Sequence, residues 1–390
     1  MDGHTFFRWA EPFLGVPLML VVLADVFLTV LYARMGTSLL GERLGRALWL
    51  AFRAAAAAVP SRRDRVLAYA GPVIVLTVLA VWVGLLMLGA ALVIHPHLGT
   101  GVTSSSGQTK TDFMTAVFAA GNSITLVGSG NFSPQTPAFK AFYIVNSFVG
   151  MTMISLTLTY LMQIYAALLR RNTLALAVHE ATGETGDAAA LIGAVGPQGN
   201  FSNGYTHLAQ LASEMRAVKE AHHFYPVLVY FRFDEPYYTL SRLTTVLLDA
   251  VTLIKSGLDD EEYASLKQSA AVNGMWRAAV RLLASADDVL LSRGLRDAPA
   301  ADPDAYTLER WRRRYDAGLR RLREAGLRTI ADEQKGFDAY VSLRVKWVRL
   351  VTAFAEFMAV DVGSADPVGT DPQSATDRPD FAAPQLHAAR

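Results

Sequence analysis

The stretch DFMTAVFAAGNSITLVGSGNFSP, residues 112–134, decides the reading of this chain. Its first part, 112–124, is as apolar as a membrane span, yet a helix needs roughly 20 such residues to cross a hydrocarbon core of about 30 Å. Thr111 or Asp112 is placed to cap the helix that this run predicts. The chain then passes through Thr125, Leu126, Val127, Gly128, Ser129 and Gly130 to Asn131, Phe132, Ser133 and Pro134. Non-helical backbone at membrane depth is stable only where protein buries it or where it lines an aqueous cavity. The stretch therefore reads as re-entrant, a short helix going in and an irregular loop coming out.

Working outward, residues 13–33, 73–94 and 139–169 are apolar runs long enough to span a bilayer as helices. The third exceeds what a span needs, so it is expected to tilt or to project beyond the membrane. The first is longer than the hydrophobic part of a signal peptide and leads into basic sequence without an A-x-A-like site, so it reads as a retained span. Arg34, Arg43, Arg46, Arg53, Arg62, Arg63 and Arg65 lie between the first two runs, and Arg170 with Arg171 closes the third. The positive-inside rule makes these ends cytoplasmic and places the N-terminus outside, the re-entrant loop outside and the C-terminus inside. Residues 38–59 set Arg43, Arg46 and Arg53 beside an apolar face, as in a helix lying in the interface plane or in an ordinary connector. None of the runs carries the repeated arginines of a voltage sensor.

This order of span, short apolar helix, V-G-x-G, proline and span resembles the pore-loop cation channels of potassium-channel type, whose filter reads T-V-G-Y-G followed by an acidic residue. Val127, Gly128, Ser129 and Gly130 fall on V-G-Y-G and Asn131 on the acidic position. The sequence departs from the pattern at Leu126, where the family has a threonine, with Thr125 one residue early, and at Ser129, where the family has a bracing aromatic. The resemblance covers about residues 70–171. It implies an all-α membrane protein with three transmembrane helices and a filter at Thr125, Leu126, Val127, Gly128, Ser129 and Gly130, flanked by Asn131. It further implies a gating hinge at Gly150 and a homotetramer in a lipid bilayer, because one loop supplies only one set of carbonyls. The permeant ion in that filter is potassium or another monovalent cation, and no other metal or cofactor is implied. Glycines there allow successive carbonyl oxygens to face one axis and replace an ion's hydration shell. The C-terminal end of the short helix adds partial negative charge toward a cavity.

The rest of the chain bounds the reading. A formal net charge of +1 supplies no field to recruit nucleic acid, and with no cysteine neither disulfides nor thiolate metal sites exist. The expected organisation is an N-terminal span and interfacial helix over 1–69, a pore domain over 70–171, a mainly helical cytoplasmic domain over 172–361 and a disordered tail over 362–390. Helical spacing appears at 240–258, 275–291 and 341–358, while 225–233 is β-prone. Asp25, in the middle of the first span, is expected to make a hydrogen bond to another helix or to serve an ion or proton relay. Trp82 and Met87 read as packing residues, and Thr152, Ser155, Thr157 and Thr159 as cavity-facing or self-bonded hydroxyls. His222 and His223 read as solvated or capping groups, His95 and His97 as residues of an outer loop, 193–204 as a flexible loop and 302–328 as a solvated helical face.

No paired catalytic carboxylates and no nucleophile with a base are visible, so the chain does not read as an enzyme. The leading expectation is a potassium-permeable passive channel in a plasma membrane, with an unknown ligand or partner for the soluble half. Two rivals stay open: a weakly selective cation channel on the same fold, and a membrane-anchored sensor or scaffold. A transporter subunit, with Asp25 as its only intramembrane carboxylate, is a further and weaker alternative.

Overall fold

A computed structural model describes residues 3–32, 38–125, 130–287 and 302–360, with residues 3–9 described by backbone alone. The chain divides into two compact units, residues 1–173 with 217–234, and residues 174–216 with 235–390.

In the first unit, α1 (Gly3–Val26) continues into a π-helical turn, Phe27–Leu31. There follow α2 (Gly41–Ala58), α3 (Arg63–Ala68), α4 (Ala70–Ile94), strand β1 (Val102–Ser104), α5 (Phe113–Ile124), strand β2 (Phe132–Pro134) and α6 (Pro137–Ala181). Among the described residues three helical stretches are long and apolar enough to cross a membrane: Ala10–Leu31, Ala70–His97 and Pro137–Ala181. The architecture is that of an all-α membrane protein. Val22 and Val26 of α1, Trp82 and Leu86 of α4, Ala116, Ala119 and Ala120 of α5, and Tyr160 and Ile164 of α6 share one core. The three alanines give α5 a slim face that lets its backbone lie close to its neighbours, the usual basis of helix association where water is absent.

The helix that contains the third apolar run continues past residue 169, as α6 runs on to Ala181. No glycine or proline falls between Gly150 and Gly183, so nothing in the backbone stops the helix where the basic pair begins. Arg171 is buried, and its guanidinium donates to the carbonyls of Leu228 at 3.0 Å and Phe231 at 3.1 Å. The β-prone run 225–233 forms no strand; Pro226–Tyr230 is a 3-10 helix. Pro226 lacks an N–H, and the run is held by side chains instead: Tyr230 lies 5.7 Å from the Trp49 ring, and Arg232 pairs with Asp64 at 3.1 Å.

The second unit is helical, with α7 (Ala188–Val195), most of α8 (Gly204–Phe224), α9 (Leu240–Gly257), α10 (Ala264–Gln268), α11 (Ala270–Ala286), α12 (Ala305–Glu324) and α13 (Glu333–Phe357). Helix α9 is buried on nearly every face, and the hydroxyls of Thr244, Thr245, Thr252 and Ser256 are satisfied by carbonyls of its own preceding turn. Its one carboxylate, Asp249, accepts from Arg314 at 2.8 Å, Arg344 at 2.6 Å and the Tyr340 hydroxyl at 3.0 Å. The reading of 302–328 as a solvated face is therefore corrected at Arg314, which turns inward to that buried carboxylate. The loop expected at 193–204 is also corrected: Gly193 lies inside α7, Asp187 caps that helix by accepting from Ala189 N, and Pro197–Gly199 forms a 3-10 turn. The expected tail, 362–390, lies outside the described residues.

Candidate functional site

Helix α5 starts at Asp112, whose carboxylate accepts from Thr115 N at 2.9 Å and from Thr115 Oγ1 at 2.7 Å. Of the two capping candidates the structure selects Asp112. The Thr115 hydroxyl first, and then the Thr115 N–H, hold its carboxyl below the usual carboxylate range.

At the other end a helix leaves its last four carbonyls without intrahelical partners. Here Thr125 donates both N–H, at 2.9 Å, and Oγ1, at 2.8 Å, to the Gly121 carbonyl. The Ser123 carbonyl accepts from Ser147 Oγ of α6 at 3.1 Å, and Ser123 Oγ accepts from Asn146 Nδ2 at 2.9 Å. A Cβ built on Gly150 would lie 1.8 Å from the Ile124 carbonyl oxygen. Asn146, Ser147 and Gly150 thus form one polar, close-fitting stretch of α6 against the last turn of α5. The Thr125 hydroxyl, turned back on its own helix, is spent as part of the C-cap.

Of the predicted filter, Leu126, Val127, Gly128 and Ser129 lie outside the described residues. Thr125 and Gly130, which bracket them, are placed. Gly130 has φ +64°, in the left-handed region where a side chain is strained, and its carbonyl accepts from Ser105 Oγ at 2.6 Å. Asn131, the predicted flank, accepts through its carbonyl from Ser105 N at 2.9 Å. Beyond it β2 pairs antiparallel with β1, Thr103 opposite Ser133. The segment is thereby fastened at its start to α5 and α6, and at its end to the loop that follows α4.

Asp25 is fully buried. One of its oxygens accepts from the backbone N–H groups of Leu39 at 2.5 Å and Leu40 at 3.1 Å and from Ser38 Oγ at 3.1 Å, and the other accepts from Trp82 Nε1 at 2.8 Å. These are the contacts of a cap on the N-terminal end of α2 and of a tie to α4, where negative charge meets the positive end of the helix dipole. Trp82, expected only to pack, packs and also donates. Gly150 lies inside the unbroken α6, and its lack of a side chain is needed for the approach to Ile124.

Other polar residues fall as follows. The Thr159 hydroxyl returns to the Ser155 carbonyl at 2.9 Å. His95 meets Glu11 at 2.6 Å. His222 corrects the solvated reading: it is buried, with Nδ1 at 2.9 Å from the Val218 carbonyl. Burial first, and then the nearby Arg171 charge, push its imidazole down to about 3, against the opposing hydrogen bond to Val218. Among the described residues no group of three or more His, Cys, Asp or Glu side chains is placed to hold a metal ion. The sequence reading missed Asn146, Ser123 and Ser147. A signal existed, since an amide within an apolar span needs a hydrogen-bond partner on another helix.

Residues 73–167, from α4 to α6, match a family model described as an ion channel. The chain is also 20% identical over 253 residues to YdjJ of Bacillus subtilis strain 168, described as an uncharacterized membrane protein, covering 63% of this chain and 70% of that one. No solved structure matches.

Proposed function

We propose that this membrane protein, whose residues 73–167 match a family model described as an ion channel, is a passive, potassium-permeable cation channel and not an enzyme. Four copies surround one axis, and each contributes the segment from Thr125 to Gly130 as its share of the filter. The observation that carries this reading is α5 itself: a 12-residue apolar helix, too short to span, set between two spanning helices. Its C-terminal end leads directly into a segment containing two glycines. Carbonyl oxygens from four such segments replace the hydration shell of a monovalent cation, which is the cargo and not a resident metal. The arginines between the first two spans support, by the positive-inside rule, an N-terminus outside and a C-terminal half in the cytoplasm. There the C-terminal half modulates opening in response to a ligand or partner.

The test is uptake of potassium, rubidium and sodium by liposomes carrying the purified full chain, beside a Gly128→Ala variant. Potassium and rubidium uptake without sodium, lost in the variant, is the expected result. Equal uptake of all three favours the weakly selective channel, for which Leu126 and Ser129 are the sequence observations. No uptake by the wild type, with Gly128→Ala indistinguishable from it, favours the sensor or scaffold.

A further inference from the structure

The last turn of α5 is held by hydrogen bonds whose direction is determined. Ser123 Oγ carries one hydrogen, and the geometry gives it to the Ala120 carbonyl at 2.8 Å. Toward Asn146 the hydroxyl therefore only accepts. The atom of Asn146 lying 2.9 Å away is its amide nitrogen, and its oxygen faces elsewhere. Asn146 is fully buried, and among the described residues no donor reaches Oδ1.

A buried acceptor without a partner weakens a fold, whereas an apolar side chain of similar size at that place does not. Stability alone gives no reason for an asparagine here. Position does. The Asn146 amide fixes the Ser123 side chain, the adjacent Ser147 fixes the Ser123 carbonyl, and Gly150 one turn on admits the Ile124 carbonyl. Thr125, the residue from which the filter segment departs, follows Ile124 directly and is bonded back to Gly121.

We propose that Asn146 is a positioning residue for ion selection: through Ser123 it fixes the end of α5, and with it Thr125, the residue from which the filter segment departs. This rests on the channel reading. Filter geometry that is set from outside is lost by relaxation of the support, with no change to the residues that touch the ion.

The experiment is the liposome uptake assay with the full-length chain. It compares wild type, Gly128→Ala, Asn146→Val, Ser123→Ala and the Asn146→Val/Ser123→Ala double variant, each also followed by thermal unfolding in detergent. In both single variants the sodium-to-potassium uptake ratio shifts by about two- to tenfold, the span of one lost neutral hydrogen bond. The double variant shifts no further than the larger single change, because both remove the same link. The unfolding midpoint of Asn146→Val stays at or above that of wild type.

An Asn146→Val protein that assembles and keeps the wild-type ratio overturns the proposal. So does a fall in rate and midpoint with an unchanged ratio, which is the mark of a purely structural residue. If Asn146→Val does not assemble, Ser123→Ala, which removes a single oxygen, is judged by the same two criteria. Failure of the channel reading looks different: the wild type itself then takes up no cation, and Gly128→Ala changes nothing.

Discussion

Alanine at position 150 places a methyl group 1.8 Å from the Ile124 carbonyl oxygen and 2.9 Å from the carbonyl carbon. Non-bonded heavy atoms rest at about 3.5–4.0 Å, so α6 and the end of α5 must separate by about 1.7–2.2 Å. Overpacking of this kind costs about 1–3 kcal/mol. The separation also stretches the Asn146–Ser123 and Ser147–Ser123 hydrogen bonds, now 2.9 and 3.1 Å, past useful length. At about 0.5–1.5 kcal/mol each, their loss brings the total to about 2–6 kcal/mol. Against this, alanine gains about 0.5–1 kcal/mol over glycine inside a helix. Gly84 of α4 isolates that gain, because a Cβ there meets nothing within 4 Å. The assay is thermal unfolding of the full chain in detergent, followed by tryptophan fluorescence. Gly150→Ala should lower the midpoint and Gly84→Ala should raise it slightly. A Gly150→Ala protein at or above the wild-type midpoint refutes the close approach of α6 to α5 and the bracket built on it.

Three more outcomes are expected. Asp25→Ala leaves the Trp82 indole N–H and the Leu39 and Leu40 amides without their acceptor. At about 1–3 kcal/mol for the buried Trp82 donor alone it should lower the midpoint more than Asp25→Asn, which keeps one acceptor oxygen. Asp249→Ala leaves the Arg314 and Arg344 charges buried without their carboxylate and should cost about 3–5 kcal/mol, read as loss of helical circular dichroism at a lower temperature. For His222 the unfolded imidazole titrates at about 6.5, while the folded one stays neutral down to about 3. Its contribution is therefore complete above pH 6.5 and is lost at about 1.4 kcal/mol per pH unit as the pH falls toward 3. Comparing unfolding midpoints at pH 7.5 and pH 5 should show His222→Gln losing less on acidification than the wild type.

How much was legible depends on the range over which each signal acts. The spans and α5 follow from runs of apolar residues whose length is compared with the bilayer, and a cap at Thr111 or Asp112 follows from side chains that act within one turn. The extent of α6 beyond residue 169 was not legible because Arg170 and Arg171 mark where a membrane stops, and a helix need not stop there. The β1–β2 ribbon escaped notice because three-residue strands carry no alternation to read. His222 and Arg314 were taken for solvated groups because their chain neighbours are polar, and their burial comes from elements distant in sequence.

The sequence by itself determined that this chain is a membrane protein, where its apolar helices lie, and that a short helix and a glycine-bearing segment interrupt the loop between two of them. Each of these is a property of consecutive residues weighed against hydrocarbon or water. Only the tertiary structure decided which polar groups meet. Asn146 reaches Ser123 across 23 residues, Asp25 reaches Trp82 across 57, and Arg344 reaches Asp249 across 95. A buried polar group must find its partner wherever the packing brings one, and the order of residues along the chain does not say where that is.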